Sequence, residues 1–338
     1  MTKEQINKLI WNGYPQNGEK RTLVETHISW VVIAGDFVYK IKKPIKYSFL
    51  DFSTLEKRKY YCEREIELNR RLTNDMYLDV LPVKEILNNI FIDHEEGKVV
   101  DYAVRMRKLD REKQMDVLLQ SNKVTESDIK SLAEKIASFH TSTKVIYEKD
   151  ILEVQENFND LEQERDYLNE FLSSNSAHII TEAIETSNAF VKRNEKFLAD
   201  RLKAGFFRDC HGDLHSRNIF LLPDPQPFDC IEFNDNFRRI DVLDEVAFLC
   251  MDLDAFNRND LSELFFKSYN NLFHAAETDE CYKLFVYYKS YRANIRAKVN
   301  SLRAGSSSDN AQRKMSLKEA DKYLRLMNGY VKRLNNSL

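Results

Sequence analysis

The spacing of apolar residues divides the chain into a strand-rich beginning and a helical remainder. Residues 22–42 (TLVETHISWVVIAGDFVYKIK) are rich in β-branched and aromatic side chains, with a turn signal at Gly35-Asp36, and predict two or three antiparallel strands. The later runs VLPVKEIL and VVDYAVRMRKL, separated by the turn EEGK, predict further strands. Between these groups, the sequence STLE at 53–56 fits a capping box with Ser53 as cap, and predicts a helix over about 54–72.

From about residue 112 the apolar periodicity becomes helical and stays so to the end of the chain. Apolar residues recur every three or four positions over 129–140 and over 180–198. The polar stretch HGDLHSRN at 211–218 interrupts this pattern and precedes two strand-like runs, NIFLL and FDCIEF. This order predicts a two-lobed α+β fold, with a small antiparallel β lobe containing one helix over 1–108 and a larger, mainly helical lobe over 109–338.

Composition narrows the classes of protein to which the chain can belong. Fifty-one Lys and Arg residues against 54 Asp and Glu residues give a net charge of -3, which offers no global attraction for nucleic acid or an anionic membrane. The five cysteines form no C-x-x-C pair, as is typical of reduced core thiols, and the N-terminal MTKEQINKLIWNG lacks the apolar stretch of a signal peptide. We therefore expect a cytoplasmic protein without nucleic-acid or membrane partners, and the sequence leaves its oligomeric state open.

The stretch HGDLHSRN carries the densest candidate chemistry. Asp213 and Asn218 have the spacing of the kinase catalytic loop H-R-D-x-x-x-x-N, in which the aspartate is the base and the asparagine binds magnesium. The predicted element order is also that of a protein-kinase-like fold. Two alternatives stay open: a polar loop that only caps a helix, and a zinc cluster of His211, Asp213 and His215.

Several longer blocks extend this likeness. HGDLHSRNI resembles the catalytic loop of the aminoglycoside phosphotransferase and choline kinase superfamily, in which Gly replaces the Arg of protein kinases. ETHISWVVIAGDFVYKIKKP, SFLDFSTLEKRKYYCEREIELNRRL, DCIEFND and YRANIRAKV resemble uncharacterised bacterial members of the aminoglycoside phosphotransferase family. The resemblance implies a phosphotransferase that uses ATP or GTP with Mg²⁺ to phosphorylate a hydroxyl of a small molecule, with Asp213 as catalytic residue. A protein-directed kinase, an adenylyltransferase, a nucleotide-binding regulator without turnover and a metal-dependent hydrolase stay open as alternatives.

The second metal ligand departs from the superfamily pattern. Its members carry an I-D-[WF] segment where this chain has Ile231-Glu232-Phe233. A glutamate also offers the hard oxygen donors that magnesium prefers, so we expect Glu232 to bind the ion. Asp229, on the same predicted strand, is the alternative ligand, and Asp235 comes third.

A lysine of the first lobe should neutralise phosphate charge. In the predicted strand FVYKIK, alternation places Val38, Lys40 and Lys42 on one face. We select Lys40 because Val38 would then line the adenine site, as the small apolar residue does in the kinase motif V-A-I-K. Glu65 is the expected partner because it lies on an apolar face of its helix, where a charge needs a counter-ion. The alternative interpretation of the lysines is a solvated basic strand.

Other nucleotide contacts follow less directly from the resemblance. No glycine-rich loop is present, so the hydroxyls of Thr26 and Ser29 in the first turn are the candidates for phosphate binding. The hinge that contacts adenine is expected within residues 104–109, with Met106 as the candidate residue. Asp241 or Asp244 is expected to brace the catalytic loop.

The acceptor is the least constrained feature. Tyr291, Arg292, Arg296 and Lys298 lie on a predicted helix near where superfamily members bind acceptors, and the arginines would suit a carboxylate or phosphate. An amphipathic core helix with a cationic outer face explains the same residues equally well.

Overall fold

The computed structural model describes residues 1–12, 21–173 and 175–336. The chain forms two compact units: the first contains Met1–Leu118 and Arg217–Phe237, and the second contains Leu119–Ser216 and Arg238–Leu338. The α+β class is confirmed, since an antiparallel sheet occupies the first unit and helices dominate the second. The lobe boundary after residue 108 stays a prediction.

Most strands belong to the first unit. Over the described residues the strands are β1 (Thr22–Glu25), β2 (Ser29–Ala34), β3 (Phe37–Lys42), β4 (Lys46–Tyr47), β5 (Leu50–Asp51), β6 (Tyr77–Ile86), β7 (Asn89–Ile92), β8 (Lys98–Arg107), β9 (Phe207–Asp209), β10 (Ile219–Phe220), β11 (Gln226–Pro227) and β12 (Arg239–Asp241). Six of them form one sheet in the order β1-β2-β3-β8-β6-β7, in which β3 is paired on both sides.

The helices begin at the N-terminus and become long in the second unit. Over the described residues they are α1 (Lys3–Asn12), α2 (Leu55–Asn69), α3 (Met115–Gln120), α4 (Glu126–Ser142), α5 (Glu153–Asn159), α6 (Arg165–Phe171), α7 (Ser176–Lys203), α8 (Val242–Ala255), α9 (Asn259–Phe273), α10 (Asp279–Ser306) and α11 (Asn310–Asn336). None of the described helices is both long and apolar enough to cross a bilayer.

Alternation along the central strands gives the sheet two different faces. Trp30, Val32 and Ile41 are buried in one apolar cluster that also receives residues of α1. The other face carries Lys40, and Val104 beside it belongs to a second cluster with Cys62 and Ile66 of α2. Helix α2 therefore packs, mainly through β8 and β6, against the sheet face on which β3 carries Lys40.

Two local predictions need correction. The cap of α2 is Thr54, which accepts the Lys57 N–H at 3.3 Å, while the Ser53 hydroxyl donates to Asp51 instead. The run FDCIEF forms no strand, because Asp229 adopts a left-handed φ of 62° and only the preceding β10 and β11 pair with each other. The argument that placed two metal candidates on one strand therefore fails.

In the second unit, residues 211–216 lie between a short sheet and a buried helix. β9, which pairs with β12, ends shortly before residues 211–216, and α8 follows β12 directly. Asp241 caps α8 by accepting the Leu243 N–H at 2.9 Å. Its carboxylate also accepts hydrogen bonds from Arg201 Nε at 2.6 Å and Nη2 at 2.8 Å. α8 is buried along nearly its whole length, so the loop next to it rests on a rigid element.

Candidate active site

Lys40 lies in a cluster with four other charged side chains of the first unit. Lys40 Nζ lies 2.8 Å from Glu65 Oε1 and 2.6 Å from Asp229 Oδ1. Lys42 Nζ lies 2.7 Å from the other oxygen, Glu65 Oε2, and also contacts Glu232 Oε1. The predicted neighbourhood of Lys40 and Glu65 is therefore present, and Lys42 shares the same carboxylate.

Burial and neighbouring charges together shift the pKa values of the groups in this cluster. Burial alone would lower the pKa of Lys40, but the carboxylates of Asp229 and Glu65 outweigh it and hold that pKa well above its usual value. Burial opposes ionisation of Glu65, yet the two ammonium groups lower the pKa of its carboxyl to about 2. Burial raises the pKa of Glu232 against the attraction of Lys42. The cluster is thus a set of charges that depend on one another.

The segment that carries Asp229 is tied to the first unit by hydrogen bonds. The Asp229 N–H donates to the Tyr77 hydroxyl at 3.1 Å, and the Cys230 N–H donates to Asn69 Oδ1 at 2.9 Å. Asn69 is one helical turn after Glu65 on α2. The helical periodicity of α2 places Asn69 on the same face as Glu65, but nothing in the sequence links Asn69 to residue 230.

The other site residues predicted in the first unit lie outside this charged cluster or have no contact with it that defines a role. Thr26 and Ser29 bond each other, with their hydroxyl oxygens 2.8 Å apart, and so close the turn between β1 and β2. Met106 lies opposite Val38 in the sheet, and β3 alternation puts Lys40 on that same face. Asn218 is buried at the end of a 3₁₀ turn, where its carbonyl accepts the Phe228 N–H at 2.8 Å. Their roles stay predictions.

Asp213 lies in the second unit with two histidines of the loop. His215 Nε2 is 3.3 Å from Asp213 Oδ2, and the Asp213 N–H donates to His211 Nδ1 at 3.2 Å. Burial opposes ionisation of Asp213, but His215 and Arg296 outweigh it and hold the pKa of its carboxyl well below the usual range. Gly212 has a φ of 87°, a conformation that favours glycine and accounts for Gly in place of the kinase Arg.

A buried carboxylate of α8 holds the loop backbone. Glu245 Oε1 accepts the N–H groups of His211 at 2.6 Å and Gly212 at 2.7 Å. Asp244, one of the two residues predicted as brace, binds Arg292 at 2.6 and 2.8 Å, and Arg292 donates to the Gly212 carbonyl at 3.3 Å. Sequence reasoning found the right segment of α8 but missed Glu245.

Comparison with solved structures identifies the architecture. The chain superimposes on choline kinase from Cryptosporidium parvum with a TM-score of 0.60 and 10% identity, over 98% of this chain and 96% of that one. A choline/ethanolamine kinase family protein from Mesorhizobium loti gives a TM-score of 0.51 at 12% identity, over 96% and 98% of the two chains. APH(2")-IIia, in its GDP and kanamycin complex, gives 0.50 at 12% identity over 95% and 98%. The chain has the fold of these phosphotransferases.

The sequence relatives add the family context without a function. Uncharacterised proteins Rv2004c of Mycobacterium tuberculosis and Mb2027c of Mycobacterium bovis are each 31% identical over 285 residues, which is 82% of this chain. The chain spans about half (54%) of the length of these curated relatives. No protein-family model matches the chain. The structural comparisons, and not the sequence relatives, confirm the resemblance drawn from HGDLHSRNI, at the level of the phosphotransferase fold.

The zinc alternative gains no support from the loop. Among the described residues, the one potential metal-binding trio is His140, Cys210 and Glu245, with ligand atoms within 4.8 Å of one another. Both His140 ring nitrogens already have partners, Glu245 and the Tyr269 hydroxyl, each at 2.7 Å. Burial raises the pKa of the Cys210 thiol well above its usual value, which disfavours the thiolate that zinc requires. We interpret this trio as part of the loop brace.

The acceptor candidates on α10 are largely committed to internal contacts. Arg292 binds Asp244, and Lys298 Nζ lies 2.8 Å from Asp160 Oδ2. Tyr291 and Arg296 are buried, the latter with its guanidinium 5.3 Å from the centre of the Tyr323 ring. These contacts fit the amphipathic-helix interpretation, and an acceptor role for the four residues stays a prediction.

Proposed function

We propose that the chain is a phosphotransferase that uses ATP or GTP with Mg²⁺ to phosphorylate a hydroxyl group of a small molecule. The observation that carries this proposal is the ammonium of Lys40, held between the carboxylates of Glu65 and Asp229. A lysine fixed by a helix glutamate is the arrangement with which kinases position nucleotide phosphates. The GDP in the APH(2")-IIia complex supports a nucleotide as donor and keeps GTP open beside ATP.

The charges of the cluster fit a divalent cation. Lys40 and Lys42 supply two positive charges against three carboxylates, those of Glu65, Asp229 and Glu232, which leaves one negative charge in excess. Carboxylate and amide oxygens are the donors that magnesium prefers, so Asp229 and Asn218 would hold the ion. When bound, the ion supplies positive charge that offsets the charge on the phosphate oxygens.

The exposure of the two carboxylates favours Asp229 over Glu232 as ligand. The Asp229 side chain is 43% exposed, whereas that of Glu232 is 3% exposed and lies against Lys42. Asp235, the third candidate, lies 3.6 Å from Arg64. We therefore propose Asp229 as the second metal ligand, the reverse of the order expected from the Ile231-Glu232-Phe233 segment.

Asp213 is proposed to receive the acceptor hydroxyl. Its low pKa keeps the carboxylate ionised, so it accepts a hydrogen bond from the hydroxyl and fixes the direction of attack. A carboxylate this acidic is a weak base, and the loose transition state of phosphoryl transfer needs little early deprotonation. Asp213 therefore contributes mainly orientation and takes the proton late.

Calorimetry of nucleotide binding with and without Mg²⁺ tests the metal assignment. Asp229→Asn should weaken Mg²⁺-dependent binding of ATP or GTP by at least about tenfold, because it removes a charged ligand. Asp75→Asn is the matched control, since Asp75 is an exposed carboxylate of the same unit. Wild-type binding that is indifferent to Mg²⁺, or an Asp229→Asn variant that binds as the wild type does, would contradict the proposal.

A further inference from the structure

A second ion pair lies behind the one that a kinase requires. Glu65 divides its two oxygens between Lys40 and Lys42, at 2.8 and 2.7 Å. Lys42 then contacts Glu232, as Lys40 contacts Asp229. The result is an outer pair and an inner pair joined through one carboxylate.

The two pairs differ in access to solvent. The outer side chains, Lys40 and Asp229, are 11% and 43% exposed. The inner side chains, Lys42 and Glu232, are 1% and 3% exposed. A metal ion or a phosphate oxygen can therefore reach the outer pair without rearrangement, whereas the inner pair is closed to both.

The inner pair fixes a segment that has little other regular structure. Residues 228–233 form neither helix nor strand. Asp229 has a φ of 62°, a left-handed backbone conformation that residues other than glycine adopt only at a cost in energy. Three backbone N–H groups hold the start of the segment: Phe228 donates to the Asn218 carbonyl, Asp229 to the Tyr77 hydroxyl and Cys230 to Asn69 Oδ1. The contact of Glu232 with Lys42 holds the far end of the segment.

We infer that Lys42 and Glu232 form a positioning pair that holds Asp229 at the metal site, and that Glu232 is not itself a metal ligand. The role of Asp229 rests on the proposed function. The structural effect of the inner pair does not, since it exists in the protein without nucleotide or metal.

The two roles for Glu232 predict opposite effects on the metal-free protein. A carboxylate kept for a metal is repelled by its neighbours when no metal is present, so removing its charge stabilises the fold. If the carboxylate instead neutralises Lys42, its removal leaves that buried lysine only Glu65, which it shares with Lys40, and this shortage of negative charge is destabilising. Replacing both partners by neutral side chains of similar volume removes that imbalance of charge.

Thermal unfolding in EDTA distinguishes these roles. Glu232→Gln and Lys42→Met should each lower the melting temperature by at least about 4 °C, and the double variant should regain most of that loss. Lys46→Met is the matched control, because Lys46 is a nearby lysine of the same unit with a side chain that is 72% exposed, so the melting temperature of this variant should hardly change. An unchanged or higher melting temperature for Glu232→Gln would overturn the inference, and that sign decides even if the double variant does not fold.

The magnesium requirement of nucleotide binding supplies a second readout. Lys42→Met and Glu232→Gln should each weaken Mg²⁺-dependent nucleotide binding, because either change removes the contact that holds Asp229 at the metal site. Weakened Mg²⁺ dependence for Glu232→Gln with wild-type dependence for Lys42→Met would instead make Glu232 a ligand. If wild-type protein shows no Mg²⁺-dependent binding, the proposed function fails, while the melting temperatures in EDTA still test the pair.

Discussion

Neutralising Glu65 should remove a large part of the stability of the first unit. Glu65 is fully buried, and each of its carboxylate oxygens contacts a lysine of β3. Glu65→Gln keeps the shape of the side chain but leaves Lys40 and Lys42 with only Asp229 and Glu232 as anionic partners. We therefore expect a marked fall in the free energy of unfolding.

The size of the loss follows from the titration of the carboxyl. A pKa that falls from 4.5 to about 2 on folding corresponds to about 3 kcal/mol. Removing one member of a buried ion pair typically costs about 3–5 kcal/mol. The lower end applies to Glu65, because each lysine keeps a second carboxylate.

The same shift fixes the pH dependence. Because folding lowers the pKa of Glu65, its contribution is fully present above the usual value of 4.5 and is lost as pH falls toward about 2. Urea unfolding followed by circular dichroism should therefore separate wild type from Glu65→Gln by about 3 kcal/mol near pH 7 and by much less near pH 3. Glu63→Gln, on the exposed side of the same helix, should differ from wild type by under about 0.5 kcal/mol. A difference below about 1 kcal/mol for Glu65→Gln near pH 7, or one independent of pH, would refute the reasoning.

Three further predictions concern catalysis. Asp213→Asn should lower turnover by about 10²–10⁴-fold with nucleotide affinity nearly unchanged, and full turnover would exclude its role. Lys40→Ala and Glu65→Ala should lose activity non-additively in a double-mutant cycle, whereas additive losses would indicate separate roles. Glu245→Gln should lower kcat and speed hydrogen exchange of the Gly212 amide, because that amide loses a charged acceptor; unchanged exchange would exclude the brace.

Local periodicity was enough to predict that Lys40 and Glu65 meet. Alternation along β3 placed Lys40 on a defined face, and the apolar stripe of α2 singled out Glu65, since both patterns are written within one element. The spacing of Asp213 and Asn218 is likewise a local property of one loop. These predictions needed no knowledge of which elements pack together.

Contacts between distant segments could not be predicted in the same way. Nothing near Lys42 in the sequence indicates that it meets Glu232, which is 190 residues away. The run FDCIEF has the composition of a strand, but it belongs to none of the sheets that the described residues form, because strand formation depends on pairing and not on composition alone. Glu245 was missed because its partners are backbone N–H groups, which carry no sequence signal.

The most direct test of the proposed function is transfer of an isotope-labelled γ-phosphate from ATP or GTP to small molecules of a metabolite extract. With Mg²⁺ present, the wild-type protein should produce at least one metabolite that gains a single labelled phosphate, and Asp213→Asn should not. Nucleotide binding without any labelled product would favour a regulator instead, and equal product from Asp213→Asn would contradict the assignment of the catalytic loop.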